Sequence, residues 1–395
     1  MGRDIYFDNS ATTRPSDRCI RAITESLGED YANPSSLHAR GNDSHKRLEQ
    51  ARENILRTLG TDSYKHRLIF TSGGSEANNL ALMGVARSKK WHFTPKLLVG
   101  DGEHPSVERC VAALADEGFE VVHIPTAFGV LDLDAVREYA DKRTVLASFM
   151  SVNNETGARY NVTEAFRIIK RANPDCVCHT DCVQAYLKIM INANTLGADL
   201  ISVSAHKIHG PKGIGALIVN PEIFKRRLLT PVIYGGGQEY SLRAGTENLA
   251  YIVGFSEAAS ESRESMRELN SNAARICEYI KERIEHDEAL AGFSLNRPKD
   301  AVPYIISITT PNIKSETMLH CLSGEGIYVS SGSACSSHSS ETSPALKAFG
   351  LDADAADRTI RVSLSRENTL DEAEYFIEAL VRGAQTLVGI KRPKK

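Results

Sequence analysis

The sequence predicts an α/β protein: a mainly parallel sheet with helices on both faces, joined to a smaller α+β domain. Three observations lead there. Short β-branched or apolar runs alternate with helix-length segments from about residue 67 to 220, a long amphipathic helix follows, and beyond it the order of elements becomes mixed. Strands separated by helices are the pattern of parallel sheets, whose crossovers need a dozen or more residues.

The strand-like runs are 67–71 (RLIFT), 96–100 (KLLVG), 120–125 (EVVHIP), 144–151 (TVLASFMS), 176–181 (CVCHTD), 200–205 (LISVSA) and 215–220 (GALIVN). Segment 76–88 reads as a helix, and Pro105, a favoured first-turn residue, opens another. Over 256–287, Leu269, Ala273, Ile276, Ile280 and Ile284 stay on one helical face. Strand-like 304–309, a helix near 316–324, strand-like 327–331, a serine-rich loop, strand-like 359–365 and a helix from about 371 complete the order. At 395 residues two domains are the default. We expect a large domain over 15–258 and a small one made of 1–14 and 259–395, carrying the serine-rich loop at about 330–343.

A formal net charge of -3 leaves no polybasic surface for nucleic acid or anionic membrane. No apolar run approaches membrane-spanning length. The start, MGRDIYFDNSATT, lacks the apolar core of a secretory signal. Eight scattered cysteines make no disulfide framework, so a reducing cytoplasm is expected. Cys176, Cys178, His179 and Cys182 crowd together, but a strand alternates its faces and cannot converge them on one ion. No metal site is expected.

Ligands of open α/β sheets bind outside the carboxyl ends of the strands. There the sequence sets out Ser72-Gly-Gly-Ser-Glu76, Glu103-His104, Asn153-Asn154-Glu155, Asp181 and His206-Lys207. SGGSE opening a helix offers free backbone N–H groups to a phosphate, or is simply a turn. Asp181 ends a buried strand and needs a cationic or hydrogen-bonding partner, which a protonated ring nitrogen or a structural arginine would supply. Lys207 is either a solvated lysine or an amine held for Schiff-base chemistry. A phosphate cradle, a carboxylate for a pyridinium nitrogen and a Schiff-base lysine together fit pyridoxal 5′-phosphate.

The stretches FDNSATTR (7–14), NPSSLH (33–38), TSGGSEANN (71–79), EHPSV (103–107), VNNETG (152–157), HTDCVQA (179–185), SAHKIHGPKG (204–213), GGGQEYSLRAGTEN (235–248) and SSGSAC (330–335) resemble, in order, those of the NifS/IscS-type cysteine desulfurases. These are pyridoxal-phosphate enzymes of the aminotransferase class-V group and fold type I. The resemblance implies that Lys207 binds the cofactor covalently, Asp181 pairs with the pyridine N–H, Gln184 faces the phenolic oxygen and His104 stacks on the ring. It implies a phosphate held by Gly74, Ser75, Ser204 and His206, with Thr246 reaching in from the other subunit of a homodimer. It places Asn33, Asn154 and Arg361 at the substrate carboxylate, a task that suits the planar fork of an arginine.

Cys335 stands in a run where eight of the fourteen positions from 330 to 343 are serine. The resemblance makes it the nucleophile that takes sulfur from L-cysteine as a persulfide, leaving L-alanine. Only a thiolate is soft and nucleophilic enough for that near neutral pH, and a Gly/Ser tether lets it travel to an acceptor. An iron–sulfur scaffold or a tRNA-thiolation enzyme is the expected acceptor. The alternatives are another fold-type-I enzyme (an aminotransferase or a C–S lyase with Cys335 incidental) and a non-catalytic relay protein. The intact lysine, aspartate and histidine disfavour the relay protein.

Overall fold

The computed structural model describes residues 4–332 and 343–388. Its strands are β1 (Ile5–Tyr6), β2 (Arg67–Thr71), β3 (Lys96–Gly100), β4 (Glu120–Ile124), β5 (Thr144–Ser148), β6 (Val177–Asp181), β7 (Leu200–Ser204), β8 (Gly215–Val219), β9 (Ser294–Leu295), β10 (Ile305–Thr309), β11 (Ile327–Tyr328), β12 (Ser330–Ser331) and β13 (Thr359–Ser363). β2 to β8 form a seven-stranded sheet in the order β2-β8-β7-β6-β5-β3-β4. Every pairing in it is parallel except those of β8, which runs antiparallel to β2 and β7.

Alternation along these strands feeds two separate cores. Leu68, Phe70, Leu98, Ile201, Val203 and Ile218 join one, whereas Ile69, Leu97, Val99, Leu200, Leu217 and Val219 join the other. A strand turns successive side chains to opposite faces, so both faces are covered, as a parallel sheet requires.

The long helix runs Leu249–His286, starting well before the expected 256 because Asn248 caps it by accepting the N–H of Tyr251. Its first half packs on the helices Asp17–Glu29 and Ala39–Thr58, and the final helix, Leu370–Val388, also packs against it. The expected domain boundary at 258 thus falls inside one continuous helix.

The smaller sheet has the order β12-β13-β10-β9, all antiparallel. The single run expected over 327–331 is split. β11 pairs in parallel with β1, and after Val329 the chain crosses to pair β12 with β13. The run expected over 144–151 ends at Ser148, because Met150 N–H turns to the Glu103 carboxylate and Ser151 N–H to the carbonyl of Asp181.

A segment near the start ties the two sheets together. The N–H groups of Asn9 and Ser10 donate to the carbonyl and hydroxyl oxygens of Ser363, at 3.3 and 2.8 Å. Four residues later, Thr13 N–H reaches the carbonyl of His206 at 2.8 Å. This strap crosses the carboxyl ends of the large sheet.

Candidate active site

A cavity of about 340 Å³ opens at those carboxyl ends. It gathers residues from the turns after β2, β3, β5, β6 and β7, from the strap, and from β13 through Arg361.

The turn after β2 leads into the helix Gly74–Ala86, whose first turn has no side-chain cap. Its orphan N–H groups therefore suit an anion. A Cβ on Gly74 would come within 2.7 Å of Val183 Cγ2, so glycine lets this turn close against the β6 turn. Ser204 Oγ faces it from the end of β7, buried and without a hydrogen-bond partner among the described residues. Next to it, His206 shares a hydrogen bond with Thr12 Oγ1 at 3.2 Å. Burial, with Lys207, Lys212 and Lys188 nearby, pushes the His206 pKa down to about 3, so the ring is neutral.

Asp181 ends β6 only 7% exposed. Its Oδ1 accepts Val183 N–H at 2.8 Å, and its Oδ2 accepts the Asn78 amide at 2.8 Å. Asn78 also donates to Ser106 Oγ at 2.9 Å, and Ser106 Oγ lies 2.8 Å from His104 Nδ1. Nδ1 accepts Ser106 N–H at 3.1 Å as the cap of the helix Pro105–Asp116 and so carries no proton, which makes the hydroxyl the donor to it. Two donors on Nδ1 leave the ring proton on Nε2. Burial lowers the His104 pKa, Asp181 working against it and Lys207 with it.

Lys207 follows β7 on a single 3-10 turn, and its ammonium donates to the strap carbonyls of Ser10 at 2.5 Å and Ala11 at 2.8 Å. Gln184 Nε2 donates to the same Ser10 carbonyl at 2.9 Å. Arg361, 4% exposed, spends one terminal nitrogen on the Asn154 carbonyl at 3.0 Å and the other on Asp8 at 2.9 Å. Its Nε has no partner among the described residues.

The structure thus brings together Gly74, Ser75, His104, Asn154, Asp181, Gln184, Ser204, His206, Lys207 and Arg361. Asn33 lies elsewhere, exposed, its side chain accepting Ser35 N–H at 2.8 Å. Thr246 is also exposed and does not line the cavity of its own chain. Cys335 and its serine-rich neighbours fall in 333–342, outside the described residues. Asn78, Ser106 and Ser10 were not singled out from the sequence. For Asn78 the signal was there, one helical turn past Gly74 and so on the same face. His179, crowded among cysteines, lies between Ser148 Oγ at 2.8 Å and Ser202 Oγ at 2.9 Å.

Residues 5–376 match the family profile described as Aminotransferase class-V. The chain is 35% identical over 387 residues to "Cysteine desulfurase IscS" of Dictyoglomus turgidum, covering 97% of this chain and 95% of that protein. This chain belongs to the aminotransferase class-V family, in its NifS/IscS-type cysteine desulfurase branch. "Cysteine desulfurase, mitochondrial" of Drosophila melanogaster is also 35% identical, over 98% of this chain and 82% of the relative. Among solved structures, a "NIFS-LIKE PROTEIN" superposes with a TM-score of 0.89 at 32% identity, over 97% of this chain and 100% of the other. A structure described as SspA in complex with cysteine gives 0.79 at 30% identity, over 92% of this chain and 99% of the other.

Class-V enzymes of this branch use pyridoxal 5′-phosphate, and the cavity fits that group. Ser10 Oγ, Asn78 Oδ1, Ser204 Oγ and Arg361 Nε are buried polar atoms without partners among the described residues, and all four belong to residues that line it. Buried polar atoms are seldom left unpaired unless a bound group completes them. An uncapped helix start, a buried carboxylate and a lysine at the same mouth suit its phosphate, its pyridinium nitrogen and its aldehyde carbon.

Proposed function

We infer that this chain, a pyridoxal 5′-phosphate-dependent cysteine desulfurase, takes the sulfur of L-cysteine onto the thiol of Cys335 and releases L-alanine. One observation carries the assignment of roles: Lys207, Asp181, His104 and the SGGSE turn, far apart in sequence, share one cavity.

When bound, the cofactor supplies an electron sink that makes the α-proton of an amino acid acidic. Lys207 would hold it covalently, and its amine would serve as the base nearest the substrate. Asp181, kept as an acceptor by Asn78 and Val183, pairs with the pyridinium N–H. His104, neutral with its proton on Nε2, would stack on the ring and donate toward the substrate. Gly74, Ser75, Ser204 and His206 would hold the phosphate, while Asn154 and Arg361, the two carboxylate candidates that line the cavity, would orient the substrate carboxylate. The Cys335 thiolate attacks the substrate sulfur. An S–S bond forms as the Cβ–S bond breaks, and the carbon takes up a proton, so L-cysteine and a thiol become L-alanine and a persulfide.

A homodimer in which Thr246 of one subunit completes the phosphate site of the other belongs to this reading, as does handover to an iron–sulfur scaffold or a tRNA-thiolation enzyme. So does a cytoplasmic setting; no helix among the described residues is long and apolar enough to cross a membrane.

Brief exposure to L-cysteine should add one sulfur to the peptide containing Cys335, read by mass spectrometry. Cys335→Ser should bind cofactor and change its spectrum with L-cysteine, yet form no persulfide and almost no alanine. Near-parental sulfide release from that variant, with pyruvate and ammonia in place of alanine, would make the enzyme a C–S lyase with Cys335 a bystander.

A further inference from the structure

Lys188 is a buried amine that the reaction just described leaves unused. It follows a turn in which Leu187 adopts a left-handed φ of 56°, and its side chain runs inward to 5% exposure. Its ammonium donates to Gln184 Oε1 at 3.1 Å and lies 5.3 Å from the centre of the Tyr304 ring. No carboxylate pairs with it among the described residues. The charged and titratable groups that face it are Lys207, Arg361, His206 and His209. Burial, Lys207 and Arg361 push its pKa down to about 7. An amine so placed costs stability unless something compensates it, so packing alone does not explain a lysine here.

The hydrogen bonds say what it does. A carboxamide has one accepting oxygen and one donating NH2, and an ammonium can only donate. With Oε1 held by Lys188, Gln184 must turn its NH2 toward the cavity, where it now meets the carbonyl of Ser10 at 2.9 Å. A reversed amide would set NH2 against NH3+. We propose that Lys188 is a positioning residue of the active site: its ammonium locks the Gln184 carboxamide with N–H donors toward the cofactor's phenolic oxygen and places a positive charge behind it. The inference rests on the reading above in which Gln184 faces that oxygen.

Both effects act in one direction on the cofactor's linkage to Lys207. A donor to the phenolic oxygen withdraws density that would otherwise hold a proton, and a neighbouring cation opposes protonation. The test is the pH midpoint of the visible absorption band of the purified, cofactor-loaded enzyme without substrate, with thermal unfolding followed alongside. Lys188→Met, near in volume but with neither donor nor charge, should raise the midpoint by about half a pH unit or more. Lys188→Gln, a donor without charge, should raise it by less. Gln184→Leu should raise it too, and adding Lys188→Met should then have a smaller effect than it has alone, because the two act through one hydrogen bond. An unmoved midpoint in Lys188→Met beside a raised one in Gln184→Leu overturns the proposal and leaves the site reading intact. An unmoved midpoint in Gln184→Leu removes Gln184 from the cofactor and the proposal with it. Should Lys188→Met not fold, no rise in Lys188→Gln overturns the proposal by itself.

Discussion

Asp181 and Lys207 answer to opposite demands, one staying an acceptor in a buried place and the other remaining a reachable amine. Asp181→Asn keeps the shape but gives up the charge that would hold a pyridinium proton. We expect cofactor binding to persist while turnover falls at least about 100-fold, or ~2.7 kcal/mol of barrier; a loss within about threefold would refute the pairing. Lys207→Ala should fold but yield no borohydride-fixed cofactor, and a fixed adduct on another lysine, found by peptide mapping, would move the assignment. Glu155, near Asn154, offers a test by pH. Burial raises its pKa from 4.5 to about 7 against the pull of the Ser343 hydroxyl, which donates at 2.6 Å, and of Arg361. Between those values the folded chain keeps a proton that the unfolded chain has released. The stability this contributes is therefore complete below about pH 4.5 and lost as pH rises through about 7. Glu155→Gln should then gain on the parent by about 1–3 kcal/mol between pH 5 and pH 8 in urea melts, whereas a pH-independent difference would show that the carboxyl does not titrate there.

At the scale of elements, what was legible in the sequence is what local chemistry decides. β2, β3 and β10 lie within a residue of their apolar runs because burial on both faces writes a continuous apolar stretch. The site residues at strand ends were legible for the same reason, since the sheet fixes where its carboxyl edge lies. Pairings made far away were not. β1 has two residues and gains its identity only from β11, and Lys188 reads as an ordinary surface lysine until the turn at Leu187 carries it inward. The antiparallel placement of β8 was equally invisible, yet it shapes the turn after β2. A Cβ on Gly215 would lie 2.7 Å from Gly73 Cα and from the Val203 carbonyl oxygen. Gly215→Ala must push backbone apart, so we expect a loss of about 1–3 kcal/mol in thermal unfolding and weaker cofactor binding. A variant unchanged in both would mean that the turn has slack.

For the whole molecule, Thr246, exposed in the single chain, sets a test of assembly. Lys207→Ala and Thr246→Ala should each be inactive, and an equal mixture that exchanges subunits should recover about a quarter of the parental sites, because only one site in each mixed dimer regains both groups. A fully active monomer by light scattering would end the dimer reading. The strap from Asn9 to Thr13 bears on when the site can exist at all. The carbonyls of Ser10 and Ala11 that receive Lys207 are positioned through Ser363, so the order of synthesis matters. A ribosome that has released residues through Val219 has delivered every strand of the seven-stranded sheet, Lys207 included. Ser363, the anchor that draws the strap across the lysine, has still to be made. Such pairings of high sequence separation form late. The nascent protein therefore carries the Lys207 amine through the synthesis of residues 208–363 without the backbone strap that later receives it.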